Sequence, residues 1–321
     1  PVYVTPYTLG SFAQSPSTCT VSRCMTARDG SKSAGVDLRY PLSSNLTLDL
    51  TVNTDFAQVE ADDQQINLDR FPLFFPERRR FFQENSGNFD FVLGGNTRLF
   101  NSRRIGLAAD FSPLQVYGGA RLVGRAGNYD LGVLEMQTRA DGTTPSENFG
   151  VLRMRRKVLN PLSTAGFMVT SYSGGARRNV AVGSDGVFQV SGDNYLTLKY
   201  AATTDTEDPH AAALASRSVF DLKWERRTQR GLQYALSGTR AGRDFRPEIG
   251  FQQRRDFTTA NFVGNYFIFT DRNKVLRRIY PGALAFSTYR NQDGALESGQ
   301  YALWVQWDTK AGGTGWIEPA I

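Results

Sequence analysis

Four carboxylates stand close together at Asp55, Glu60, Asp62 and Asp63. Acids clustered in this way can do three kinds of work. They can supply oxygens to Ca²⁺, which takes about six to eight. They can serve as the paired carboxylates of a glycoside hydrolase, or they can neutralise nearby cations. In an uninterrupted strand Asp55 and Glu60 would point to opposite faces, which favours pairing with cations over a shared ligand set. Arginines are close by in sequence. Glu77 is followed by Arg78, Arg79 and Arg80, then by Glu84, and Arg103 and Arg104 stand further on. Forked guanidinium groups could grip an anionic ligand or a partner's carboxylates. Phe74, Phe75, Phe81 and Phe82 flank the run and require packing, which favours an internally salt-bridged segment. The candidate charge cluster is therefore Asp55, Glu60, Asp62, Glu77, Arg78, Arg79, Arg80, Glu84, Arg103 and Arg104.

Other reactive residue types point to less chemistry. The one histidine, His210, follows Glu207-Asp208-Pro209, and a catalytic histidine needs a nucleophile and an orienting acid. The chain contains neither a Gly-x-Ser-x-Gly elbow nor a Ser-x-x-Lys motif, so His210 reads as an exposed loop residue. Gly94-Gly95 and Gly118-Gly119 lack the flanking pattern of nucleotide loops. No catalytic constellation and no cofactor signature emerge. The two cysteines, Cys19 and Cys24, lie in the Ser/Thr-rich stretch Ser15 to Ser33. A local disulfide in an exposed loop is the preferred reading, and it requires an oxidising compartment. The net charge of +6 does not indicate a nucleic-acid binder, because the arginines are scattered among aromatic strands. A cationic lumen or rim, facing anionic solutes or lipopolysaccharide phosphates, accounts for it better.

The elements that hold these residues follow from alternation. Residues 45 to 53 read Asn-Leu-Thr-Leu-Asp-Leu-Thr-Val-Asn, and neighbouring side chains of a strand face opposite ways. Leu46, Leu48, Leu50 and Val52 thus share one face. Phe220, Leu222 and Trp224 oppose Asp221, Lys223 and Glu225; Leu232, Tyr234 and Leu236 oppose Gln233, Ala235 and Ser237. Tyr301, Leu303, Val305 and Trp307 do the same against Ala302, Trp304, Gln306 and Asp308. Such runs reach roughly 9–11 residues, the length of a tilted strand that crosses a bilayer. A mean hydropathy of −0.38 does not oppose this, because lipid-facing and lumen-facing residues cancel in the average. No stretch approaches the ~18 consecutive apolar residues of a membrane helix.

Turn signals stand at Arg125-Ala126-Gly127, Ser184-Asp185-Gly186, Ser191 to Asn194, Gln229-Arg230-Gly231 and Asp271 to Lys274, with long loops over Ala140 to Asn148 and Thr203 to Ser216. Spacing of this kind gives ~13–16 strands. One stretch breaks the rhythm. Residues 62–87 are too charged for lipid, contain two prolines and carry five phenylalanines, so they read as an insertion in the lumen or at the periplasmic mouth.

The block from Gly35-Val36-Asp37 through Asn53, Asp55, Phe56, Gln58, Val59 and Glu60, on through Phe74-Phe75-Pro76-Glu77-Arg78, Phe81-Phe82 and Glu84 to Ser102-Arg103-Arg104-Ile105-Gly106, resembles the signature of a bacterial outer-membrane β-barrel family of unknown function. Pro247-Glu248-Ile249-Gly250-Phe251 matches more loosely. Members of that family usually carry an N-terminal domain like the family-nine carbohydrate-binding modules, followed by a long barrel. The resemblance implies an exported protein of the Gram-negative outer membrane. Its expected partners are membrane lipid, lipopolysaccharide, and a carbohydrate or other small solute. Pro1-Val2-Tyr3-Val4 is already strand-like, and the binding module would precede it. Gly315 to Ile321 reads as a cut, so a trimmed chain is expected.

The expected fold is an all-β, antiparallel transmembrane barrel, incomplete over residues 1–321, with the Phe/Arg-rich insertion near its N-terminal strands. Its expected role is transport, channel function or ligand binding. A rim-sited hydrolase and a structural barrel are the alternatives. Cys19 and Cys24 should resist thiol labelling in envelope-derived protein until it is reduced, and losing the bridge should leave the barrel intact. Quantitative labelling of both without reduction would remove the disulfide.

Overall fold

The computed structural model describes residues 2–20, 23–54, 66–68, 70–108, 114–142, 144–207 and 213–318. Fifteen strands follow one another as β1 (Tyr3–Thr20), β2 (Arg23–Ser43), β3 (Leu46–Val52), β4 (Val116–Ala126), β5 (Tyr129–Thr138), β6 (Glu147–Lys157), β7 (Thr164–Gly174) and β8 (Arg177–Ser191), then β9 (Asn194–Asp205), β10 (Ser218–Arg226), β11 (Gly231–Ala241), β12 (Phe257–Phe269), β13 (Leu276–Arg290), β14 (Leu296–Thr309) and β15 (Thr314–Ile317). Each strand pairs antiparallel with its chain neighbours in one continuous sheet, and no ladder joins β15 to β1 among the described residues. Among the described residues one four-residue helical turn, Arg80–Gln83, lies outside the strands with two short 3₁₀ turns.

Alternation carries through the register. One row of directly paired side chains runs Leu48, Leu122, Val133, Leu152, Val169, Val182 and Ala202 from β3 to β9. A second runs Leu196, Trp224, Leu236, Phe262, Ala285 and Tyr301 from β9 to β14. Arg156, Arg178, Arg226 and Arg240 share this face but stand at or next to strand ends, and Glu135 receives a hydrogen bond from Asn148 Nδ2 at 2.6 Å. The opposite face holds Asp49, Arg121, Arg153, Asp185, Lys199 and Asp221. This apolar outer face and charged inner face are the signature of a strand wall between lipid and a polar lumen.

The two rims differ. Short connections at 44–45, 127–128, 158–163, 192–193, 227–230, 270–275 and 310–313 mark one rim. The other carries 53–115, 139–146, 206–217 and 242–256, with tighter links at 175–176 and 291–295. The N-terminal hairpin also points to the long-connection rim. Its ladder runs from Tyr3↔Arg39 to Thr20↔Arg23, whereas β3 joins β2 only between Val36 and Ser43. The ribbon therefore continues roughly 40 Å beyond β3.

The segment between β3 and β4 begins and ends at the long-connection rim; its described residues from Phe82 to Ile105 pack on the inner face, so the insertion continues past the Gly87 end expected from sequence. Asn88 Nδ2 reaches down to the carbonyls of Gly124 and Leu131, at 3.1 and 2.9 Å, near the short-turn ends of β4 and β5. Phe82, Phe89, Phe91, Leu93, Leu99 and Ile105 of this segment join Val123, Leu134, Phe149, Met168, Ala201 and Phe257 of the wall in one buried core. Phe89 meets β5 at Gly132, and Gly94 meets Asp221 of β10 and Thr239 of β11. A flat sheet would hold β5 and β11 about 29 Å apart, and the intervening chain extends about 17 Å. The sheet is curled around its insertion.

Some local expectations require correction. Ser184-Asp185-Gly186 lies in the middle of β8, because Asp185 faces inward onto Arg153 and every residue from Arg177 to Gln189 has a ladder partner. Ser15 to Ser33 is no loop over its described residues: it forms the far part of the β1–β2 ribbon, with Cys19 directly opposite Cys24. β9 extends to Asp205, so the loop begins at 206, and β6 already begins at Glu147.

Leu222 sits in the middle of β10 on the outward face, beside Leu198 and Gly238. Leu222→Arg should destabilise the folded protein in lipid vesicles by about 2–4 kcal/mol. Lys223→Ala removes only the partly exposed pair with Glu225, 2.6 Å long, and should cost under about 1 kcal/mol. Equal losses on urea titration would contradict the assignment of faces.

Candidate functional site

An irregular chain inside an enclosure must find partners for its backbone groups, and Glu77 supplies several of them. Its Oε1 accepts the backbone N–H groups of Arg78 and Arg79 at 3.0 and 2.8 Å, and its Oε2 accepts Ser102 Oγ at 2.6 Å. Arg79 grips both carboxylate oxygens, through Nε at 2.9 Å and Nη2 at 2.8 Å, and donates through Nη1 to the Ile105 carbonyl at 2.8 Å. The Arg79 guanidinium lies 4.4 Å above the Phe82 ring. Glu77 thereby ties the first strand-like part of the insertion to its far end at Ser102–Ile105.

The wall supplies cations to the insertion's carbonyls. Arg121, 1 % exposed, bonds Asp49 Oδ2 at 2.6 Å and donates to the carbonyls of Phe81 and Glu84 while stacking on Phe81. Arg155 Nη2 reaches the Gly87 carbonyl at 3.2 Å, and Lys199 Nζ reaches that of Val92 at 2.6 Å. Arg153 forms a fork with Asp185 at 2.6 and 2.7 Å, 5.1 Å from the Phe91 ring. Gly183 leaves the space there: a Cβ would stand 2.6 Å from the Phe91 ring.

A second network closes the long-connection rim. Arg104 Nη2 lies 3.4 Å from Glu147 and 3.2 Å from Glu248; Arg177 Nη2 bonds Glu248 at 2.7 Å and Asp205 at 3.0 Å; and Tyr172 donates to Glu147 at 2.7 Å. Glu248 belongs to the 242–256 connection, which itself turns inward. Phe245 and Ile249 are buried, and Phe251 exchanges backbone hydrogen bonds with Arg98 at 2.7 and 2.9 Å. The filling of the lumen therefore has two pieces.

Between the halves of the insertion a cleft of about 580 Å³ remains. Phe74, Phe89 and Phe100 form apolar walls, and Gln83, Ser86, Asp90, Arg98 and Asn101 supply polar edges. Arg98 bonds Asp90 at 3.2 Å and stacks 4.6 Å from Phe74. Size and composition fall in the range of small-ligand sites.

Of the charge cluster expected from sequence, Glu77 and Arg79 pair with each other and Arg104 joins the rim network. Glu84 instead pairs with Arg39 of β2, which also bonds Asp49 at 2.7 Å. Arg103 donates to the Pro76 carbonyl at 3.0 Å and lies over Phe75. Arg80 is exposed at the helical turn, and Arg78 is half-buried. Asp55, Glu60, Asp62 and His210 lie outside the described residues, as do the side chains of Cys19 and Cys24. Among the described residues no three His, Cys, Asp or Glu side chains gather to hold a metal. Sequence reasoning missed Asp49, Arg121, Arg153, Asp185, Lys199, Glu147 and Glu248 as parts of the site. For all but Glu248, which lies in the 242–256 connection, inward parity on a strand was the available signal.

Burial alone would raise the Glu77 carboxyl, but Arg79, with help from Ser102, holds it below the ordinary 4.5. A lowered pKa means stability fully present above the ordinary value and lost as pH falls through the lowered one. Acidification should therefore lower the amide protection factors, taken relative to the intrinsic exchange rate at each pH, over residues 74–105 in the native chain. Glu77→Gln should loosen the insertion by about 3 kcal/mol and abolish that acid-dependent step. Glu84→Gln, whose pair is half exposed, should cost under about 1 kcal/mol.

Comparison with known proteins bears on the first part of the chain. Residues 4–117 match the model of a family described as a domain of unknown function, DUF5916. No curated protein matches the sequence. Among solved structures, the fold is similar to the crystal structure of Pseudomonas aeruginosa OccK7 (OpdD), at 12% identity and a TM-score of 0.35, covering 99% of this chain and 85% of that one.

Proposed function

We propose that this chain forms the wall and lumenal filling of a bacterial outer-membrane β-barrel that binds a small solute and controls its passage. The observation that carries this reading is the division of the sheet. Uncharged rows cross β3 to β14 on the outer face, and the inner face holds paired charges bolted to a folded insertion. Only a wall between lipid and a polar interior needs both. Long connections lie outside and short turns in the periplasm, so the insertion enters from the cell exterior and descends. The outer rows face membrane lipid, and the long-connection rim faces lipopolysaccharide.

The cleft favours a solute with an apolar ring face and a hydrogen-bonding edge. Phe74, Phe89 and Phe100 offer the first surface, and Gln83, Ser86 and Asn101 the second. Carbohydrate is the class that fits. The fill of the lumen leaves a binding site with little open pore, so release of the insertion is the step that would admit solute.

In planar bilayers the full chain should conduct weakly, and replacing residues 70–108 by a short Gly-Ser linker should raise conductance several-fold. Phe100→Ala should weaken binding of a neutral oligosaccharide in titration calorimetry without altering insertion. Unchanged conductance in a variant that inserts normally would defeat the gating role. Failure of the native chain to enter vesicles would defeat the membrane reading itself.

A further inference from the structure

One part of the outer wall departs from its apolar pattern. Glu135 of β5 points outward and is exposed, between the inward and buried Leu134 and Met136. It has no cationic partner among the described residues. Its Oε1 accepts Asn148 Nδ2 of β6 at 2.6 Å, and the same amide donates to Gln137 Oε1 at 3.1 Å. Parity places Ser171 and Ser173 of β7 on this face too, directly paired with Gly150 and Asn148. Gly150 forms the floor between them: a Cβ there would stand 2.5 Å from Ser171 Oγ and 3.0 Å from Glu135 Oε2. Three neighbouring strands thus gather a carboxylate, two amides and two hydroxyls around a glycine. Glu135 Oε2, Asn148 Oδ1 and both hydroxyls lack a hydrogen-bond partner among the described residues.

Height makes this patch anomalous. Glu135 lies seven residues from the 127–128 turn, and Gly150 and Ser171 each lie eight from the 158–163 turn. A strand tilted by about 40° rises roughly 2.5 Å per residue along the barrel axis. The three residues therefore stand roughly 18–20 Å above the short-turn rim, inside an apolar band about 25 Å tall. Seven or eight residues from the same rim, other strands present Val52, Tyr200, Phe220, Phe262 and Leu303. Lipid offers no hydrogen bond, so polar groups at such a depth need protein to cover them. The patch is also its own complement. Gln137 and Ser173 stand two residues above Glu135 and Ser171, nine and ten from the rim. A two-fold axis parallel to the barrel axis and passing over Gly150 and Asn148 would set β5 of one copy against β7 of another. Acceptors would then face hydroxyls at matching heights, and the glycine on the axis would let the walls approach closely.

We infer that this face of β5, β6 and β7 binds a second copy of the chain as an isologous dimer within the membrane. Glu135 accepts the Ser171 hydroxyl of the second copy, Gln137 bonds its Ser173, and the two Asn148 amides face each other across the axis. The interface rests on the membrane reading above.

The test uses the full chain folded into density-matched detergent micelles, with its association read by sedimentation equilibrium. The native chain should sediment as a dimer. Ser171→Leu with Ser173→Leu makes the face more lipid-compatible and removes four hydrogen bonds, since the axis repeats each contact. The dimer dissociation constant should rise about 50-fold. Val169→Leu, one step lower on β7, should leave it unchanged. Heat-modifiable migration on gels reports folding in each variant. In vesicles, Asn148→Cys in a Cys19→Ser, Cys24→Ser background should form a linked dimer on oxidation with copper phenanthroline, whereas Tyr200→Cys should not. If the native chain enters vesicles but sediments as a monomer, the interface fails and the membrane reading stands; if it does not enter vesicles, that reading fails first. A dimer that survives the serine substitutions without an Asn148→Cys link would place the contact elsewhere and overturn this one. A monomer that retains lipopolysaccharide, and loses it on Ser171→Leu with Ser173→Leu, would assign the face to that lipid instead.

Discussion

Carbonyl groups without a ladder partner are the constraint on which the interior depends. A segment that runs through a lumen as irregular chain cannot satisfy its own backbone, and an unpaired buried carbonyl costs about as much as a lost hydrogen bond. The wall meets this need with cations. Arg121, Arg155 and Lys199 reach Phe81, Glu84, Gly87 and Val92, and Arg79 and Arg103 do the same within the insertion. The arginine content is therefore largely structural. A guanidinium can hold a carboxylate on one edge and a carbonyl on another, as Arg121 does with Asp49 and Glu84, where an ammonium offers less defined geometry.

The same economy explains the aromatic partners. Arg79, Arg121 and Arg153 each lie against a phenylalanine of the insertion, between 4.4 and 5.1 Å from the ring centre. Phenylalanines could not fill a lumen of bare charges, and bare charges could not be buried among phenylalanines. Stacking lets one guanidinium face serve the apolar core while its edges serve polar groups. The outer face has no such compromise. Its two long paired rows, Leu48 to Ala202 and Leu196 to Tyr301, are apolar, and its cations stand at or next to the strand ends.

Much of this was legible before the fold was known, because a period of two needs only local sequence. Leu46 to Val52, Phe220 to Trp224, Leu232 to Leu236 and Tyr301 to Trp307 present the faces that their alternation implies, and fifteen strands fall within the expected range. The phenylalanine run also declared its need for cover. Pairing between strands that are not chain neighbours was not legible. Arg153 and Asp185 meet from β6 and β8, and nothing in either neighbourhood names the other. Ser184-Asp185-Gly186 has the composition of a turn, but ladders to β7 and β9 hold it as strand and Arg153 takes up its inward carboxylate. The 242–256 connection was hidden for a similar reason. Its arginines and aspartates show no alternation, while Phe245 and Ile249 are buried through contacts made far away in sequence.

The position of the insertion also constrains the order of assembly. Most neighbouring strands here are joined by two to six residues, but β3 and β4 are separated by residues 53–115. Closing a connection of that length costs about 3 kcal/mol more chain entropy than closing a two-residue hairpin. The wall seam between Leu46–Val52 and Val116–Ala126 is thus the slowest to zip from a disordered chain, unless the insertion has already drawn its ends together. Glu77, by joining Arg79 and Ser102, shortens that loop from within. The filling acts as a former on which the wall is wound, so a mutation deep in the insertion would register first as a delay in sheet closure.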